Sequence, residues 1–226
     1  MDEYATFHKK RYDSVLHAID KYSEKLKRIG IIGYSPFDQS LREKYKNKII
    51  INLVPPELAS SAPEYISRDF IEVCGLEVPP SEFKNRNNNY DGVVFTEVLE
   101  HLFFRDDFIM QNLYSLVKPK GYMFFSVPNV AALGKLIMLF VGKNPYMSKI
   151  NQIEGVYGGH GHIREYSFSE AKKLCENAGF KIECIYGLND YPTVFDKMAR
   201  LMPKIYSETI MVIAKKPEFY RSNVSS

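Results

Sequence analysis

The sequence is poor in the features that would place a chain in an oxidising compartment or inside a bilayer. It carries only three cysteines, Cys74, Cys175 and Cys184, an odd number without CxxC spacing. That argues against a disulfide framework, and a reducing cytoplasm is the expected setting. A long apolar run is missing too. The longest, Val130 to Gly142, is interrupted by Lys135 and falls well short of the ~20 residues a spanning helix needs. The first ten residues carry charges from the start and lack the apolar stretch of a secretory signal. Clustered charge is scarce as well. Thirty Lys and Arg against 27 Asp and Glu leave a net +3, whereas tight nucleic-acid binding calls for a basic patch. Scattered cations such as Lys84, Arg86, Lys143 and Lys149 make nucleic acid a permitted but not a favoured partner.

What is present is enough for one core. With 226 residues, 45% of them hydrophobic, the chain suits a single domain over 1–216 followed by a flexible tail, 217–226. Tyr12, Val15, Leu16, Ile19, Tyr22 and Leu26 recur at helical spacing, predicting an amphipathic helix up to about Lys27. Short apolar runs then alternate with helical stretches. Ile29 to Tyr34, Ile49 to Val54, Gly92 to Phe95 and Tyr122 to Val127 read as buried strands, and Phe70 to Cys74 as a weaker one. Helices are expected over about Asp38 to Lys46 and Glu97 to Val117, with Lys118 to Gly121 as a turn into the next strand. Ser167 with Glu170 three residues on has capping-box spacing, and Gly179 supplies the stop. Phe180 to Tyr186 and Thr209 to Ala214 complete the pattern. The expected fold is α/β: a doubly wound, mainly parallel seven-stranded sheet with helices on both faces and its ligand site outside the carboxyl ends of the first strands.

The segments YDGVVFTEVLEHL from Tyr90, LVKPKGYMFFSVPN, and GHGHIREYSFSEAKKLCENAGF resemble the class I S-adenosylmethionine-dependent methyltransferases, in family order and spacing from about Ile29 to Lys215. The resemblance implies a Rossmann-like methyltransferase fold and S-adenosylmethionine as cofactor. It places the family's glycine-rich loop at Gly33, Ser35 and Phe37, where one glycine survives, and the acidic ribose ligand at Asn52. The site beside the adenine falls on Cys74, with Glu72 close by, and Thr96 and Glu97 end the strand that faces the cofactor. The plain alternative is an ordinary strand-to-helix turn in a domain that kept the fold and lost the cofactor.

Glu97, Glu100 and His101 stand at i, i+3 and i+4, which on a helix places all three on one face. Together with His160 or His162 of the GHGH loop this resembles the small-RNA 2′-O-methyltransferases and the polyprenyl-hydroxybenzoate O-methyltransferases. In the former, two glutamates and two histidines hold a divalent metal. Carboxylate and imidazole donors suit Mg²⁺, Mn²⁺ or Zn²⁺, so Glu97, Glu100, His101 and His162 are the metal candidates. Without a metal, His101, His160 or His162 remains a candidate general base on a hydroxyl. The alternatives are that the two glutamates complement a helix N-terminus, and that the histidines belong to a surface loop with Arg164 and Tyr166.

Residues 130–160 occupy the place where this fold builds its substrate cover. Their Met-rich apolar composition is compatible with a greasy substrate, although Leu136, Ile137, Leu139 and Phe140 would equally serve to pack a helix onto the sheet. Three functions stay in view: O-methylation of a small or lipid-like molecule, RNA ribose 2′-O-methylation, and a catalytically silent binding domain. The first is preferred. The acceptor and the oligomeric state are not legible.

Overall fold

The computed structural model describes residues 3–85, 87–145, 162–189, 198 and 201–218. Seven strands form one sheet in the order β3-β2-β1-β4-β5-β7-β6. The strands are β1 (Arg28–Ile32), β2 (Ile49–Val54), β3 (Ile71–Val73), β4 (Tyr90–Thr96), β5 (Val117–Pro128), β6 (Lys181–Leu188) and β7 (Thr209–Lys215). The first five run parallel, and β7 is antiparallel to both of its neighbours. The helices are α1 (Glu3–Asp20), α2 (Pro36–Lys44), α3 (Asp106–Leu116), α4 (Leu133–Phe140) and α5 (Phe168–Asn177).

The period of two along the strands divides the core into two layers. Ile29, Ile31, Val94 and Phe124 pack with Tyr12, Val15 and Ile19 of α1 and with Phe37 and Leu41 of α2. Val93, Phe95, Met123, Phe125 and Val127 face the other way, onto Ile109, Leu113 and Leu116 of α3 and Ala171 and Cys175 of α5. Helices on both faces leave the sheet buried, which is why its parallel strands read as continuous apolar runs. The expected capping box holds: Ser167 N donates to Glu170 Oε2 at 2.9 Å, and Glu170 N donates to Ser167 Oγ at 3.3 Å. Gly179, at φ +103°, follows the end of α5 in the left-handed region.

Four local expectations are corrected. The opening helix stops at Asp20, and a 3₁₀ turn, Ser23–Lys25, carries Leu26 into the core. Glu97 to Val117 is not one helix. Glu97 turns the chain at φ +54° and donates its N–H to Ser126 O at 3.0 Å, Leu99–His101 is a single 3₁₀ turn, and α3 begins only at Asp106. Asp106 and Asp107 supply the first-turn charge that Glu97 and Glu100 were expected to provide. Lys118 to Gly121 is a bulge within β5: Val117 pairs with Tyr90 and Tyr122 with Gly92. Asp91 holds that bulge through Lys118 Nζ at 2.7 Å and receives the N–H groups of Lys27 and Arg28 at 3.0 and 2.8 Å. Finally, α4 does not pack flat on the sheet. Its only buried residue is Gly134, and Phe140 is 91% exposed.

Candidate functional site

The strand order reverses between β1 and β4, so the crevice where an α/β sheet takes its ligand lies above the carboxyl ends of β1, β2, β4 and β5. Gly33 opens it. At φ +81° it occupies backbone space that favours glycine, its N–H is spent on Leu53 O at 2.9 Å, and a Cβ there would meet nothing within 4 Å. The backbone can therefore be approached closely. Two later positions of the glycine loop are used differently. Ser35 caps α2, its N–H and hydroxyl donating to Asp38 at 3.0 and 3.2 Å, while Phe37 lies in the core against Tyr12, with ring centroids 5.6 Å apart. The phenyl ring does not enter the crevice.

Asn52 is fully buried, and its amide is spoken for. Nδ2 donates to Gly33 O and to Asp38 Oδ2, both at 2.8 Å, and Oδ1 accepts from Arg42 at 2.5 Å. Both of its donors are used. Burial pushes the Asp38 carboxyl up to about 6, with the bonds from Ser35 and Asn52 and the Arg42 charge opposing. Beside this network the Tyr34 hydroxyl is buried with no hydrogen-bond partner among the described residues. Cys74 sits in the core, where burial raises its thiol to about 12, and Glu72 accepts from the Tyr90 hydroxyl at 2.6 Å and Asn85 at 3.1 Å. Thr96 ends β4 half-buried, opposite Ser126.

Glu97 follows Thr96 and turns toward α1. Its carboxylate accepts from Arg11 at 3.0 Å and from Ser126 Oγ at 2.8 Å, with both members of the ion pair largely shielded from solvent. It is not among the side chains that converge with Glu100. Those are His101 and His162: one donor atom from each of Glu100, His101 and His162 lies within 4.8 Å of the others. The tight 3₁₀ turn thus brings Glu100 and His101 to His162, without the Glu97 that a helix face was expected to add. Glu100 is fully buried, and among the described residues neither carboxylate oxygen has a hydrogen-bond partner. Burial pushes its carboxyl well above the usual range, and the Glu97 charge adds to the effect.

His162 is held over this turn by backbone and side chain alike. Ile163 N donates to Glu100 O at 2.8 Å, and Tyr166 bridges Asn129 at the end of β5. Tyr166 is 1% exposed, so the expectation of a surface position is corrected for it; Arg164 is exposed and pairs with Asp106 and Glu170. The His162 ring lies 5.1 Å from that of His101, and its Nδ1 is 3.0 Å from Glu165 Oε1. Burial alone would raise the Glu165 carboxyl, but the bond from His162 and the nearby Lys135 outweigh it and hold the group below its usual range. His160 lies outside the described residues. The sequence reading passed over Arg11, Asp38, Lys135 and Glu165. Lys135 carried a usable signal: a lone cation inside an apolar run needs a partner.

Comparison with known proteins bears on the fold that carries this site. A family model described as methyltransferase domain matches residues 14–185. No curated protein sequence matches the chain. Among solved structures it is similar to a SAM-dependent methyltransferase from Archaeoglobus fulgidus, with a TM-score of 0.56 and 18% identity over 95% of this chain and 100% of that one. It is also similar to human N-acetylserotonin methyltransferase in complex with SAM, with a TM-score of 0.56 and 15% identity over 91% and 51%. The methyltransferase domain of bacterial CtHen1 gives a TM-score of 0.55 and 18% identity over 92% and 99%. At these identities the structures speak to the fold. The family match, which covers most of the chain, and the 3-2-1-4-5-7-6 sheet together establish that this chain belongs to the class I S-adenosylmethionine-dependent methyltransferases.

Proposed function

We propose that this methyltransferase modifies a hydroxyl group of a small or lipid-like molecule, with Glu100, His101 and His162 handling the acceptor. The observation that carries the reading is Glu100, a carboxyl withdrawn from water whose oxygens accept no hydrogen bond from the described residues, next to two imidazoles. Leaving a buried carboxyl in that state costs stability, and the cost has a use if a cation or an acceptor proton completes the site.

S-adenosylmethionine supplies the electrophilic methyl group. The open space above Gly33 and the orphaned Tyr34 hydroxyl fit such a cofactor. Asn52, by contrast, is committed to Gly33, Asp38 and Arg42 and offers no carboxylate to a ribose. The three-residue cluster fits a divalent ion such as Mg²⁺, Mn²⁺ or Zn²⁺, which would lower the pKa of a bound hydroxyl. Glu100 then gives the negative charge and the two imidazoles give neutral donors. Without such an ion, either imidazole can take the hydroxyl proton directly. Glu97 serves the site from behind, holding Arg11 and with it α1 against the end of β4.

The apolar α4 beside the cluster favours a greasy acceptor. RNA stays the second candidate on one observation: Lys84 and Lys143 are exposed. Methyl transfer from labelled S-adenosylmethionine to a polyprenylated phenol, a matching amine and a small RNA duplex decides among them. The reading expects transfer to the phenol, insensitive to salt. Transfer to RNA that falls steeply with salt would replace it, and transfer to the amine alone would refute hydroxyl chemistry.

A further inference from the structure

Glu165 is 3% exposed at its side chain and binds on both sides. Oε1 meets His162 Nδ1 at 3.0 Å, and Oε2 accepts from Lys135 Nζ at 2.5 Å. Lys135 is anchored in turn by donating to Asn129 O at 3.0 Å, at the end of β5. The ammonium can only donate, so Oε2 is an acceptor, and the ionised carboxylate is acceptor-only at Oε1 as well. The nitrogen facing Oε1 must then be Nδ1–H.

We propose that Glu165, braced by Lys135, is a positioning residue that fixes His162 as its Nδ1–H tautomer and leaves the Nε2 lone pair as the nitrogen that works in the cleft. The inference rests on the reading of the cleft given above. A carboxylate behind a histidine fixes ring orientation and raises basicity at the opposite nitrogen. It also explains why the apolar α4 carries one lysine: that cation keeps the buried carboxylate ionised and limits its two oxygens to accepting.

The test uses the near-isosteric Glu165→Gln. Lys135 still only donates, so the new carboxamide must turn its oxygen to Lys135 and its NH₂ to His162 Nδ1. That nitrogen must then carry the lone pair, and the proton moves to Nε2. Long-range ¹H–¹⁵N spectra of histidine-labelled protein, assigned by the loss of the His162 signals in His162→Asn, read the tautomer directly. The expected result is Nδ1–H in the parent and Nε2–H in Glu165→Gln. In Glu165→Gln with Lys135→Met the carboxamide can present either end to Nδ1, so the enforced Nε2–H state should relax to a mixture of the two tautomers. If Glu165→Gln does not fold, Glu165→Asp serves: it keeps a charge for Lys135 but withdraws the oxygen from Nδ1, and His162 should drift to Nε2–H. A tautomer indifferent to these changes overturns the proposal, because a purely structural Glu165 would lower stability without moving the proton. Zn²⁺ titration by calorimetry separates this from the cleft reading. Affinity should fall about 10–100-fold in Glu165→Gln and recover only in part in the double variant. A tautomer that switches in Glu165→Gln while Zn²⁺ binding is absent in every protein upholds the positioning role and defeats the metal reading of the cleft.

Discussion

Replacing Asn52 by Asp restores the acid that the family carries near this point, and simple analogy says it should tighten cofactor binding. The geometry predicts the opposite. Asn52 Nδ2 donates to Gly33 O and to Asp38 Oδ2 at 2.8 Å each, and an aspartate has no proton for either. Two hydrogen bonds at about 1 kcal/mol each are lost. Two carboxylates about 3 Å apart would also repel by roughly 5 kcal/mol at an effective dielectric constant near 20, so the pair retains a proton instead. With Arg42 offsetting part of this, the net destabilisation should be about 2–4 kcal/mol, or about 5–15 °C in Tm for a domain of this size. The sign with pH follows from linkage. Asp38 already titrates high, at about 6, and the pair will hold its shared proton at least that tightly. The folded variant therefore binds more protons than its unfolded chain above about pH 4, and its deficit grows from there toward neutrality. The chain has no tryptophan, so urea melts followed by far-UV circular dichroism at pH 5 and 7.5 are the natural assay, with S-adenosylhomocysteine affinity measured beside them. A variant as stable as the parent at pH 7.5 that binds the ligand several-fold tighter would refute the reasoning and turn Asn52 outward to the ribose.

Asp38 itself should show a carboxyl carbon titrating near pH 6 by NMR; its raised pKa favours the folded state fully below about pH 4, and about 3 kcal/mol of that is lost as pH rises through 6. Phe37→Ala should cost about 3–5 kcal/mol in thermal melts, because the ring fills the core under α1 and not the crevice. Arg11→Met should destabilise by about 3 kcal/mol by leaving Glu97 shielded and uncompensated, and α1 should then exchange amide protons faster. Glu100→Gln should raise the melting temperature of the metal-free protein while abolishing Zn²⁺ or Mn²⁺ binding, with S-adenosylhomocysteine affinity within about twofold of the parent.

Most of the sheet could be read in advance because both of its faces are covered, so Ile29 to Ile32 and Val93 to Phe95 carry no polar side chain and Ile49 to Val54 is broken only by Asn52. The EVLEHL segment misled for a local reason. Leu and Glu favour a helix, but Glu97 is tied by its N–H to Ser126 across the sheet, and that long-range bond fixes a turn that propensity cannot foresee. Glu100, His101 and His162 could be singled out from residue type and family spacing alone. Their company could not: Arg11 lies 86 residues from Glu97, and Lys135 lies 30 from Glu165. Phe37 aligns with a position of the glycine loop, but spacing does not say on which side of the sheet a helix residue falls; the early start of α2 at Pro36 puts it in the core.

One crevice above Gly33 should bring the cofactor to the Glu100, His101 and His162 cluster. Crystals grown with S-adenosylhomocysteine and Mn²⁺, with diffraction recorded for manganese anomalous signal, test it in a single measurement. The account predicts ligand density over the Gly33 backbone and an anomalous peak bounded by Glu100, His101 and His162. Ligand density elsewhere on the molecule, or none at millimolar ligand with Glu100 still unpartnered, would contradict it.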